Sequence, residues 1–128
     1  MKLLGIGTDI VETDRIARSI AQFGSKFLDR IFLPGEIQYC SPMRNPTPHY
    51  AARFAAKEAI SKAFGTGIGD QIGFIDIEVR RKASGEPFIL LHGSGKELAR
   101  RRGVETIQLS LSHTELFAVA FVTLLGKE

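Results

Sequence analysis

Arg53-Phe54-Ala55-Ala56-Lys57-Glu58-Ala59-Ile60-Ser61-Lys62-Ala63-Phe64-Gly65-Thr66-Gly67 is the stretch on which the fold turns. Ala, Lys and Glu are good helix formers, and nothing between Tyr50 and Phe64 breaks a helix, so one long helix is expected, stopped at Gly65. At about 100° per residue, Ala52, Ala55, Ala56, Ala59, Ile60 and Ala63 share one side. That side is mostly methyl groups, so another backbone can come close to it. Arg53, Lys57 and Ser61 lie opposite. Glu58 and Lys62, one turn apart, sit at the border between the two faces, with Phe54 one turn before Glu58. A carboxylate at the edge of a buried face is costly unless a cation meets it. Two readings meet that need: an i,i+4 pair with Lys62, worth a few tenths of a kcal/mol, or a metal or phosphate site along the edge.

Outward from this helix, the 128 residues are 44% hydrophobic and 24% charged, which fits one soluble globular domain. A net charge of +3 suits an anionic ligand or an acidic partner without implying nucleic acid. The lone Cys40 excludes an internal disulfide and has no metal-spaced companion, so a reducing compartment is expected. The chain opens directly on a strand pattern with no leader, and its longest apolar run, Leu116 to Leu125, is too short and interrupted to span a bilayer. The expectation is a cytoplasmic protein with no membrane segment.

Leu3 to Val11 reads as a buried strand in which Gly5, Gly7 and Asp9 point to one side. The two glycines leave space around the Asp9 carboxylate, either for a ligand or because Asp9 caps the following loop. Thr13 or Asp14 caps a helix to about Phe23, ended by Gly24, with Arg15, Arg18 and Gln22 on its polar face. Two short helical turns follow, the second opened by Pro34. Ser41 to His49 is a proline-rich loop feeding the long helix; Thr47 is its candidate cap, and His49 is expected to be exposed and idle. Gly65-Thr66-Gly67 lies at a helix C-terminus, where the dipole opposes phosphate, so only a backbone nest could hold an anion there.

Phe74 to Arg80 and Pro87 to His92 make a hairpin, and Ser94-Gly95-Lys96-Glu97 reads as a capping box opening a short helix through Arg102. Strands from Thr106 to Ser112 and from Leu116 to Leu125 close the chain. Ile107, Leu109 and Leu111 share a face that His113 continues. These elements make an α+β fold: a small antiparallel sheet, a long central helix and several short helices. A strand acid with room around it, a helix acid, a lysine and a strand-end histidine compose a candidate Mg²⁺-phosphate site, since Mg²⁺ takes a couple of carboxylates and completes its shell with water and phosphate oxygens.

Three motifs sharpen this. Gly5-Ile6-Gly7-Thr8-Asp9-Ile10-Val11-Glu12 with Arg15-Ile16, Arg53 to Ala59 running into Lys62 to Gly67, and Ser110-Leu111-Ser112-His113-Thr114 resemble, in order and spacing, the holo-acyl-carrier-protein synthase family, the short 4′-phosphopantetheinyl transferases. Phe27, Arg30-Ile31-Phe32, Glu36 and Asp76 to Val79 fit between them. The departures are Leu33 in place of a common threonine, Ala52 in place of a common glycine, and the proline-rich loop Pro42 to Pro48, which bears on how the rim of the site meets coenzyme A.

The resemblance implies the 4′-phosphopantetheinyl transferase fold and a reaction of fatty acid biosynthesis. A serine of apo-acyl carrier protein attacks the β-phosphorus of coenzyme A, and adenosine 3′,5′-bisphosphate leaves. By position, Asp9 and Glu58 hold Mg²⁺, and Lys62 reaches a phosphate oxygen. Arg53, Gly65 and His113 join Lys62 in binding coenzyme A, while Arg15 and Arg18 meet the acidic carrier protein. The general base is Glu58, Asp9 or a metal-bound water. The family also implies a homotrimer with sites between subunits, compatible with a last strand, Phe117 to Val122, that is apolar on both faces. The competing class is a basic nucleic-acid-binding module using Arg80-Arg81-Lys82 and Arg100-Arg101-Arg102, against which stand scattered charges and no interleaved aromatic platform.

Overall fold

Helix α4, Pro46–Ala63, crosses strand β1, Lys2–Glu12, so closely that two glycines are obligatory. A Cβ on Gly7 would run into the carbonyl oxygen of Ala59, and one on Gly5 into that of Ala63. The methyl stripe and the glycine pair are therefore two halves of one contact. The space beside Asp9 that the glycines suggested is filled, at Gly5 and Gly7, by the backbone of α4 itself.

The computed structural model describes residues 1–127. After β1 come α1 (Thr13–Phe23), α2 (Ser25–Ile31) and α3 (Pro34–Cys40), then α4. A short 3₁₀ turn, Phe74–Asp76, leads into β2 (Ile77–Arg81) and β3 (Pro87–Leu91), followed by α5 (Gly93–Arg102), β4 (Val104–His113) and β5 (Phe117–Gly126). Strands β1, β5 and β4 form one antiparallel sheet in that order; β2 and β3 form a separate hairpin. The expected α+β architecture is present, and no helix among the described residues is long and apolar enough to cross a membrane.

Helix α4 is buried nearly all round. Its second face, Arg53, Lys57 and Ser61, is as inaccessible as its methyl stripe. The Lys57 ammonium donates to Glu36 Oε1 at 2.7 Å and to the carbonyls of Phe74 at 3.1 Å and Ile77 at 2.7 Å, which uses all three of its protons. Glu36 also accepts from the Leu33 and Val79 amides. This closed network ties α3, the 3₁₀ turn and β2 to the central helix, and it is tolerated in the interior because each polar atom named is paired. Burial pushes the nearby Cys40 thiol up to about 11, which leaves it unreactive.

Several local expectations are corrected. Helix α4 starts at Pro46 with Asn45 before it: Pro46 and Pro48 sit in the first turn, where no intrahelical N–H is required, so the loop is shorter than expected and Thr47 lies inside the helix. Neither Thr13 nor Asp14 caps α1; the Thr13 hydroxyl donates instead to the Glu115 carbonyl, fixing the start of α1 to the β4–β5 turn. The Ser94–Glu97 capping box does not form. Ser94 donates to the Asp76 carboxylate at 2.9 Å and Glu97 pairs with Arg100, because charged partners outcompete a backbone amide. Phe74, expected to open the first hairpin strand, belongs instead to the 3₁₀ turn before it.

Along β5 burial alternates strictly at first: Ala118, Ala120 and Val122 face α4, while Phe117, Val119 and Phe121 face outward, the last 44% exposed. Register places Thr8 opposite Phe121 and Ile10 opposite Val119 on one side, with Ser110 and Ser112 opposite the same two residues on the other. Ile6 and Ile10, 58% and 64% exposed, extend this bare apolar face.

Candidate active site

Two groups of side chains gather at different places around α4. The first lies where α4 passes β1 and α1. Asp9, in mid-strand rather than at a loop cap, points to the α4 side, and its carboxylate accepts from Lys62 Nζ at 2.8 Å. Lys62 also approaches the Thr8 carbonyl at 3.3 Å. The i,i+4 pair of Glu58 with Lys62 is thus replaced by a pair with Asp9. Glu58, half-buried, is held above the ordinary carboxylate range by burial first and by the Asp9 carboxylate second; Lys62 and Arg15 pull the other way. Arg15 comes from α1, its guanidinium 5.7 Å from the Phe54 ring centroid, so it borders this group. Arg18 stands further out in an exposed pair with Asp14 at 3.6 Å.

The edge therefore holds two carboxylates served by one ammonium, with a guanidinium nearby. Among the described residues no cluster of three or more His, Cys, Asp or Glu could hold a metal. Two carboxylates and open positions form a donor set that fits Mg²⁺, which keeps several waters and binds substrate phosphates.

The second group lies toward the N-terminal half of α4. Five residues separate Arg53 from Glu58, about 140° around the helix, so Arg53 points away from the acidic edge. Its guanidinium carbon lies 4.2 Å from the Tyr39 ring centroid; Nη1 donates to the His49 carbonyl at 3.2 Å, and the buried Nε has no partner among the described residues. Arg81 faces the same ring at 5.3 Å. The His49 ring meets Tyr39 at 6.2 Å and His113 at 5.4 Å between centroids, both edge-on. His49 is thus a half-buried link to His113, which brings the end of β4 to Arg53, and the expectation that it is exposed and idle is corrected. Burial, then His113, Arg53 and Arg81, push His49 below the ordinary imidazole range. Glu78 is nearby: burial works against its charge, but hydrogen bonds from Arg80 and His92 outweigh it and hold it below the usual carboxylate range.

Gly65 is exposed with φ +79°, and its amide donates to the Lys62 carbonyl. The Thr66 and Gly67 amides both turn back to the Ser61 carbonyl. These N–H groups close the helix end and leave no open nest. Tyr39 escaped sequence reading, while His49 was read as idle and Arg81 only as part of a basic run. The one signal was the i,i+4 spacing of His49 and Arg53; Tyr39 and Arg81 come from other elements.

The basic runs proposed for nucleic acid are spread over two elements and engaged in part with the protein: Arg80 with Glu78, Arg100 with Glu97, and Arg102 with the Phe64 carbonyl. Comparison with known proteins settles the class. Residues 5–122 match the model of the 4′-phosphopantetheinyl transferase superfamily. The holo-[acyl-carrier-protein] synthase of Koribacter versatilis is 48% identical over 122 residues, covering 95% of this chain and 98% of that protein. The crystal structure of the Neisseria meningitidis holo-[acyl-carrier-protein] synthase superposes with a TM-score of 0.90 at 36% identity, over 97% of this chain and 99% of that one. The Helicobacter pylori enzyme, solved in complex with coenzyme A, gives 0.84 at 36% identity, over 94% and 99%. With its strand acid and helix acid set at one edge of α4 and its whole architecture shared with these enzymes, the chain belongs to the 4′-phosphopantetheinyl transferase superfamily, within the holo-[acyl-carrier-protein] synthase family.

Proposed function

We propose that the protein transfers the 4′-phosphopantetheine arm of coenzyme A to a serine hydroxyl of an apo-acyl carrier protein, with Mg²⁺, releasing adenosine 3′,5′-bisphosphate. The observation that carries this reading is the paired carboxylate edge of Asp9 and Glu58 with Lys62 between β1 and α4. Asp9 and Glu58 would hold Mg²⁺, which would supply charge neutralisation at the pyrophosphate. Lys62 leaves Asp9 to bind a pyrophosphate oxygen. Gly65, exposed and without a side chain, keeps the approach to Lys62 open. The serine proton has three candidate acceptors at this edge: Glu58, Asp9 or a metal-bound water. Arg15 and Arg18 on α1 dock the acidic carrier protein beside this edge, and Arg53 and His113 bind the remaining phosphate of coenzyme A.

The two groups on different sides of α4 support a homotrimer in which one copy supplies Asp9, Glu58 and Lys62, and its neighbour supplies Arg53 and His113. The bare face of Ile6, Ile10, Phe117, Val119 and Phe121 offers the apolar contact such an assembly needs. A cytoplasmic location suits the single, buried thiol.

Intact-mass spectrometry of an apo-acyl carrier protein incubated with the enzyme, coenzyme A and Mg²⁺ tests the reading. The carrier should gain one phosphopantetheine arm, and Asp9→Ala or Glu58→Ala should slow this by about 10²–10³. An unmodified carrier, or full rates in both variants, contradicts it.

A further inference from the structure

Arg102, the last residue of α5, donates from Nη1 to the carbonyl of Phe64 at 3.2 Å, 38 residues earlier in the chain. Phe64 ends α4, so its carbonyl is among those that no intrahelical amide can meet. A guanidinium suits it twice over, as a donor and as a cation at a helix C-terminus. Beyond Phe64 the chain runs through Gly65, Gly67 and Gly69, the first two with φ of +79° and +68°. Glycine moves between backbone conformations at little steric cost. The other bonds that shape this loop are local: the Gly65 amide to Lys62, the Thr66 and Gly67 amides to Ser61, the Thr66 hydroxyl to the Gly67 carbonyl, and the Gly69 amide to Ile72. Among the described residues, Arg102 supplies the only hydrogen bond that reaches residues 64–69 from outside residues 60–72.

The donor is itself firmly held. Helix α5 packs on the far end of the same segment: a Cβ on Gly95 would lie 3.1 Å from the Ile72 side chain, the Ser94 hydroxyl donates to Asp76 at 2.9 Å, and Leu98 is buried. Directly after Arg102, Gly103 turns left-handed at φ +72°, and its carbonyl stands where a side chain on Gly126 of β5 would be. Helix α5 therefore grips the segment between α4 and β2 at both ends, at Phe64 through Arg102 and at Asp76 through Ser94. We infer that Arg102 is a positioning residue for the transfer reaction: by fixing the Phe64 carbonyl it holds the glycine loop clear of Lys62, so that the pyrophosphate of coenzyme A reaches that ammonium. The inference rests on the transferase reading above. Arg102 touches no substrate in it and acts only through the backbone that leaves α4 just beyond Lys62.

The test uses two variants and two readouts. Arg102→Leu keeps an apolar stem and removes the donor, whereas Arg102→Lys keeps a donor. Arg102→Leu should raise KM for coenzyme A about 3- to 10-fold, leaving kcat at saturating coenzyme A and KM for the carrier protein in place. Arg102→Lys should recover most of the loss. A general structural lesion lowers kcat or raises both KM values alike; either result overturns the inference, as does an unchanged KM for coenzyme A. Hydrogen exchange needs no turnover, so it separates this inference from the transferase reading. If that reading fails, the unmodified protein modifies no carrier, and exchange still decides whether Arg102 holds the loop. The amides of Gly65, Thr66 and Gly67 should exchange faster in Arg102→Leu, while those from Ala55 to Ala59 in mid-α4 should not change. Unchanged exchange in the loop overturns the inference even where KM rises, since Arg102 would then meet coenzyme A itself.

Discussion

Lys62 stands between two acids and serves the strand one, and this choice leaves Glu58 under-compensated. Glu58 is raised by burial and then by Asp9, so it binds its proton more tightly in the fold than in the unfolded chain. Stability therefore falls as pH rises from the ordinary carboxylate range through the raised one, and the penalty persists above it. Glu58→Gln is expected to raise the melting temperature at neutral pH and to change it little in acid below the ordinary range. Mg²⁺ should stabilise the unmodified protein and not the variant. Thermal melts across pH check both, and a Glu58→Gln protein less stable at neutral pH would contradict the assignment. Asp9 and Glu58 were legible in the sequence because each is an acid set in an apolar pattern, a local anomaly. The choice Lys62 makes was not, because β1 is 53 residues away along the chain and only packing brings Asp9 within reach. Tyr39 and Arg81 were hidden for the same reason: their partner is Arg53, on a third element.

At the scale of elements, the two halves of the α4–β1 contact were readable but their pairing was not, since the glycines read as room around Asp9 and α4 fills it. A stripe of alanines and two glycines at alternate strand positions each specify close approach. Alanine at an unstrained glycine usually stabilises by restricting the unfolded chain. Gly7→Ala should do the reverse, losing about 1–3 kcal/mol, because its methyl meets the backbone of Ala59 and Ala63. Urea denaturation measures this, and a neutral or stabilised variant would mean that α4 sits further from the sheet. Capping was less readable. Ser94 and Glu97 fit a local motif, yet Asp76 and Arg100 offered charged partners, and the tertiary contact won. The second face of α4 was misleading in the same way. Arg53, Lys57 and Ser61 read as a polar side, but Glu36 reaches Lys57 from α3 and allows it to be buried.

For the whole molecule, the alternation of β5 gave the sheet two apolar faces, and among the described residues α4 covers one of them. The proposed trimer covers the other. Phe121 lies at the centre of the bare face, between Thr8 of β1 and Ser110 of β4, so Phe121→Asp should shift the mass seen by light scattering from three chains toward one. A single-chain mass for the unmodified protein would refute the assembly. The account's central claim is that one site is built from the acidic edge of one copy and the Arg53–His113 group of the next. Co-refolding Glu58→Ala with His113→Ala, each inactive alone, measures this most directly by transfer to apo-carrier protein. Mixed trimers should regain part of the activity, because some interfaces then join an intact edge to an intact basic group. Mixed trimers that form and stay inactive would contradict the claim, since each site would then draw both residues from a single chain.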